Sequence, residues 1–144
     1  MTTEEKIDWI FAHCRTAAVV GLSPQPDRPG YYVSAYLQNK GFRIFPVRPG
    51  GGEILGESCR ADLTQLKEEK IDLVLVFRKA EYVPEIVEKI ALLKNVKALW
   101  MQEGIIHEPA ARTAEGNGLL TVMDRCMLKE GMKRDASISG RNQS

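Results

Sequence analysis

The chain has 144 residues, 44% of them hydrophobic and 27% charged, and a formal net charge of +1, which suits one soluble domain and gives it no general attraction for a polyanion such as nucleic acid. The N-terminal MTTEEKIDWIFAHC is acidic and amphipathic, unlike a secretory leader, and no apolar run approaches the roughly 18 residues of a membrane span. Cys14, Cys59 and Cys126 lack the spacing of a disulfide framework or zinc site, so a reducing cytoplasm is the expected location.

Ile7, Ile10, Phe11 and Cys14 recur at helical spacing, with Thr2 and Glu5 placed as a capping box, so residues 1–16 are expected to contribute an N-terminal helix. Ala17 to Leu22 reads as a strand buried on both faces. Val33, Tyr36, Leu37 and Lys40 then mark a helix closed by Gly41. Phe42 to Val47 is the second strand, stopped by Pro49 and three glycines, and Ile54–Leu55 is a short third. Asp62 to Glu69 supports at most a short helix. DLVLVF, from Asp72 to Phe77, is a buried strand. Pro84 opens a helix whose Val83, Ile86, Val87 and Ile90 form an apolar stripe. Val96–Met101 is a strand, Pro109 to about Gly116 a helix, and Leu119–Met123 the last strand.

This alternation predicts an α/β, Rossmann-like, doubly wound and mostly parallel sheet of five to six strands with helices on both faces, ordered 3-2-1-4-5 with the last strand beyond. Residues 1–128 are then the domain. From Lys129 the periodicity disappears, and residues 129–144 are expected to be a flexible polar tail.

Such sheets bind ligands at the carboxyl ends of their strands. Four loops should therefore converge, beginning after Leu22, Val47, Phe77 and Met101. The first, SPQPDRPGYY, follows Gly21 but lacks the GxGxxG of dinucleotide sites. Its backbone N–H groups and Arg28 suit a phosphate. The second strand ends in Arg48, where NAD enzymes place an acid, and a cation there favours an additional ribose phosphate. Arg78 and Lys79 supply further cations from a third loop. Glu103, beside Gly104, reads as a backbone contact to ligand. His107 precedes Pro109 and reads as a helix cap, His13 as a helix-end residue, Cys126 as structural, and Trp9 and Trp100 as core. No nucleophile–base set and no metal set has a legible spacing.

The blocks AVVGLSPQPDRPGYYVSAYLQNKGFRIFPVRPG, EILGESCRADL, LVLVFRKAEYVPEIVE, ALWMQEGI and VMDRCM resemble small bacterial and archaeal coenzyme A-binding domain proteins, from about Ile7 to Lys129. More distantly they are similar to the CoA-binding domain of the succinyl-CoA synthetase alpha subunit. The resemblance implies contacts to coenzyme A from Gly21, Leu22, Ser23 and Arg28 in the first loop and from Val47, Arg48 and Gly51 in the second. It implies Phe77 and Arg78 in the third loop and Met101, Gln102 and Glu103 in the last, with Leu22, Phe77 and Met101 along the pantetheine arm. The family commonly has Asn before the Pro-Arg that follows its second strand, where this chain reads Arg48-Pro49-Gly50, and often an apolar residue in place of Glu103.

The function expected is a non-catalytic carrier, sensor or subunit that binds coenzyme A or an acyl-CoA. It is expected to have no nucleic-acid or membrane partner and to pair with itself or with an enzyme. The alternative is an NAD(P)-binding oxidoreductase or a regulatory Rossmann protein.

Overall fold

The computed structural model describes the backbone of residues 1–143 and side chains as far as residue 137. Helix α1 (Thr3–His13) starts at the capping box: the Thr2 side chain accepts from the Glu5 N–H, and Glu5 answers on the Thr2 N–H. Strand β1 (Thr16–Val20) leads to α2 (Pro29–Asn39), which Gly41 helps to close in a left-handed conformation (φ +99°). Then come β2 (Arg43–Val47), the two-residue strands β3 (Glu53–Ile54) and β4 (Glu57–Ser58), and a 3₁₀ turn at Leu63–Leu66. Strand β5 (Leu73–Val76), a 3₁₀ turn at Ala80–Tyr82, α3 (Val83–Ile90), β6 (Ala98–Met101), α4 (Glu108–Gly116), β7 (Leu120–Val122) and α5 (Met127–Gln143) complete the chain.

Five strands form one parallel sheet in the order β2-β1-β5-β6-β7. The predicted order holds except at its first member. The expected third strand is too short to join the sheet, and it instead forms the antiparallel pair β3–β4 outside it. The pleat sends Ala18, Val20, Val74, Val76, Leu99 and Met101 into a core closed by α3 and α4. Ala17, Val19, Leu73, Leu75, Ala98 and Trp100 face the opposite core, closed by α1, α2 and the start of α5. This explains why the central strands read as uninterrupted apolar runs. Both faces are covered.

Residues 129–143 are the main departure from expectation, because α5 is a helix where a flexible tail is predicted; Ser144, the last residue of that expected tail, lies outside the described residues. Its attachment is largely polar, which hydrophobic periodicity cannot register. Arg134 donates to Asp8 (2.8 Å) and Glu4 (3.0 Å) of α1, and also to the buried Glu130. Asp135 accepts from the Tyr36 hydroxyl (2.7 Å) and pairs with Lys40 (2.6 Å) at the end of α2. Gly131 gives Tyr36 its space, since a Cβ there would lie 2.5 Å from the hydroxyl oxygen and 2.7 Å from the ring edge. Gly131→Ala gains roughly 1 kcal/mol of helix propensity, but overpacking typically costs about 1–3 kcal/mol. The expected net result is a lower melting temperature, measured by circular dichroism, with Tyr36 displaced from Asp135.

Candidate functional site

The chain goes from β1 to β2 on one side and later returns to β5 on the other, so the loops after β1 and β5 part at the carboxyl edge. This is the switch point where such sheets open a crevice. Gly21 makes the first turn there. Its φ is +88°, its N–H donates to the Val47 carbonyl (2.9 Å), and a Cβ would lie 2.9 Å from the Phe77 carbonyl oxygen. Gly30, in the first turn of α2, lies against the same loop: its Cβ would be 3.4 Å from the Gly21 oxygen and the Ser23 nitrogen. Of the two, Gly21 is the one whose close approach and positive φ require a glycine, while Gly30 makes ordinary contact with the loop.

Arg28 is the N-cap of α2 but provides no side-chain capping bond, Pro29 follows it, and the first turn holds no acid. The positive end of the helix dipole therefore faces a cleft of about 480 Å³ lined by Gly21, Ser23, Arg28, Gly30, Arg48 and Phe77. The Ser23 hydroxyl accepts from the Gln25 N–H (3.1 Å), and the Gln25 side chain accepts from Arg28 (3.1 Å), so the Pro-rich loop is internally braced.

A second cleft of about 260 Å³ begins on the other side of Arg48, among Val47, Arg48, Asp62, Arg78, Tyr82 and Lys89. Backbone bonds from Arg48 N–H to the Arg60 carbonyl (2.8 Å) and from Arg60 N–H to the Pro46 carbonyl (2.9 Å) tie its wall to β2. Asp62 caps the 3₁₀ turn by accepting from the Thr64 N–H (2.8 Å) and is paired with Lys89, which also meets Glu85 (2.9 Å). The Lys89 ammonium and then the Thr64 N–H hold the Asp62 carboxyl down at about 2. The Arg78 guanidinium lies 4.1 Å above the Tyr82 ring.

The structure brings Gly21, Ser23, Arg28, Arg48 and Phe77 to the first cleft and Val47, Arg48 and Arg78 to the second. Arg48 belongs to both. Other expected contacts lie elsewhere. Leu22 (1% exposed) and Met101 (0%) are core side chains, so of the three residues expected along a pantetheine arm only Phe77 lines a cleft. Gln102 turns inward, where its side-chain oxygen accepts from the Met127 N–H (3.2 Å) at the start of α5. Glu103 is exposed and pairs with Lys129 (3.0 Å), while Gly51 is exposed and lines neither cleft. The loop after β6 is thus engaged by α5.

Several other readings from the sequence agree with the geometry. His107 caps α4 by accepting from the Ala110 N–H (3.1 Å), and Trp100 is fully buried with its indole N–H on the Arg125 carbonyl (2.8 Å). Cys126 is buried, and His13 stacks on Trp9. Asp62, Lys89, Tyr82 and Gly30 were not singled out from the sequence. The only local hints were the Asp62–Thr64 spacing of a cap, and Arg78 and Tyr82 standing four residues apart.

Gly21→Ala must both adopt a positive φ and displace the Phe77 carbonyl. Such strain costs on the order of 1–3 kcal/mol, and thermal unfolding should show a drop of several degrees. The acid limb gives a second check. Because the folded-state value of Asp62 lies below its ordinary 3.8, its stabilisation is present above about pH 4 and is lost as the pH falls towards about 2. Asp62→Asn should flatten that part of a denaturation-versus-pH curve, modestly, since the carboxylate is 34% exposed and partly screened.

The CoA binding domain family matches residues 15–132, and the chain belongs to this family. The protein YneT of Bacillus subtilis (strain 168) is 34% identical over 125 residues, covering 87% of this chain and 91% of that protein. Acetate–CoA ligase [ADP-forming] I of Archaeoglobus fulgidus is 32% identical over 122 residues, covering 78% of this chain but only 18% of the ligase. A solved structure of a hypothetical protein from Pyrococcus horikoshii OT3 is 32% identical, covers 92% of each chain and superposes with a TM-score of 0.84.

Proposed function

We propose, from membership of the CoA-binding domain family, that this protein binds coenzyme A or an acyl-CoA at the carboxyl ends of β1, β2 and β5 and carries out no chemistry of its own. The observation that carries the reading is the meeting of two clefts at Arg48. In this reading the first cleft takes the diphosphate, against the acid-free N-terminus of α2 and between Arg28 and Arg48. The second takes the adenosine end, and the pantetheine arm leaves past Phe77.

Arg48 at the end of β2 supports a ligand with an additional ribose phosphate over NAD, whose hydroxyls call for an acid there. The partial match to a far longer acetate–CoA ligase supports a carrier, sensor or subunit that presents coenzyme A to a separate enzyme or to a second copy of itself. Among the described residues no helix is long and apolar enough to cross a membrane. A cytoplasmic location goes with the free cysteines.

Thermal unfolding with coenzyme A, dephospho-CoA, NAD and NADP in parallel tests this. A ligand at about 100 times its Kd stabilises by roughly 2.7 kcal/mol, and a chain of this size shifts by about 2–4 °C per kcal/mol. The expected order is coenzyme A above dephospho-CoA, with NAD inactive; a shift with NAD or NADP alone would favour the oxidoreductase reading, as would NAD(P) turnover by pure protein. Arg28→Glu with Arg48→Glu should weaken coenzyme A at least tenfold, and unchanged affinity would remove both residues from the site. Light scattering with and without coenzyme A reads any coupling to self-association.

A further inference from the structure

We propose that Arg78 determines specificity in the second cleft: it covers the stacking face of Tyr82, and a purine nucleotide binds by taking that face and drawing the guanidinium onto its own phosphate. The proposal rests on the placement of the adenosine end given above and adds how that end is selected. The cleft of about 260 Å³ is near the small end of ligand pockets. Tyr82 keeps 37% of its surface exposed, so it is the Arg78 guanidinium over its ring that a planar group would have to displace.

The stem and head of Arg78 are held very differently. Its Cγ and Cδ pack against Gly21, where a Cβ would lie 3.2 Å from each, so the stem is fixed at the crossing of the β1 and β5 loops. Its head lies 4.1 Å over the ring and forms no ion pair among the described residues. The acids of the same wall are already engaged, since Asp62 and Glu85 both pair with Lys89. A cation–π contact at an exposed site is weak, whereas a guanidinium meeting a phosphate makes a paired, charge-assisted contact.

Exchanging the ring for a phosphate therefore favours binding, and only a ligand bearing both groups offers the exchange. A nucleoside must displace Arg78 without replacing its contact. A free phosphate has no reason to clear the ring. The cleft thus rewards base and phosphate together.

Isothermal titration of adenosine and adenosine 3′,5′-bisphosphate tests this on the wild-type protein, Arg78→Met and Tyr82→Leu, with coenzyme A as reference. The methionine keeps the stem against Gly21 and removes the charge. The expected result is that Arg78→Met weakens the bisphosphate at least tenfold while adenosine binds as well as before or several-fold tighter. Tyr82→Leu should weaken both probes by a similar factor. If Arg78→Met lowers both affinities equally, or changes neither, the role assigned to Arg78 is overturned while coenzyme A binding by the wild type still stands. If the wild type binds neither coenzyme A nor the bisphosphate, the proposed function and this inference fall together.

Discussion

At Gly21 the backbone leaving β1 passes so close to the Phe77 carbonyl that no side chain fits, a Cβ being allowed only 2.9 Å. Much of the site depends on that approach. It brings the ends of β1 and β5 together while their loops go to opposite sides, and it lets α2 begin directly over the sheet edge. It also gives the Arg78 stem a surface to lie on. At the other end of the same loop Gly30 lies in contact with the Gly21–Ser23 backbone, seating the first turn of α2 on the loop it follows. An anion site made from a helix terminus needs this proximity, because the dipole's influence fades within the first turn.

The distribution of charge follows from the same geometry. A chain with a formal net charge of +1 has little field of its own, so local pairing decides which cations are available. Lys89 is committed to Asp62 and Glu85, Lys129 to Glu103, and Arg134 to α1 and Glu130. Arg28, Arg48 and Arg78 come from three separate loops and surround two connected clefts. Their positions, rather than the total charge, concentrate positive charge at this edge of the sheet.

Helix α5 sets the far limit of the site. It claims the Gln102 side chain through the Met127 N–H and Glu103 through Lys129, while Tyr36 and Lys40 tie it to α2. The loop after β6 therefore supports the architecture with the side chains that a sequence comparison places on the ligand. The same helix joins α1, α2 and the β6 loop through one set of ion pairs and hydrogen bonds.

The sequence by itself determined the five strands of the sheet, their relative parallel order, the helices between them and a crevice at their carboxyl ends, while it also expected a further strand in the sheet and a fourth loop, after Met101, at the crevice. Burial on both faces writes continuous apolar runs into strands, and helical packing writes a stripe every three or four residues. Glycine and proline mark the turns. The sequence also placed Arg28, Arg48 and Arg78 in the loops that follow three of the strands, where only the fold class was needed to bring those loops together. Tertiary structure alone decided the rest. Two residues at Ile54–Leu55 cannot show whether they join a sheet; here Glu53–Ile54 pairs with β4 outside it, and Leu55 lies in the turn between them. Helix α5 is fastened to α1 and α2 by polar partners about a hundred or more positions away, as between Arg134 and Asp8, and such partnerships leave no local periodicity. Leu22, Phe77 and Met101 all stand near strand ends, but Leu22 follows the Gly21 turn into one core, Met101 is still in β6 and its pleat points into the other, and only Phe77, one residue past β5, lines the cleft.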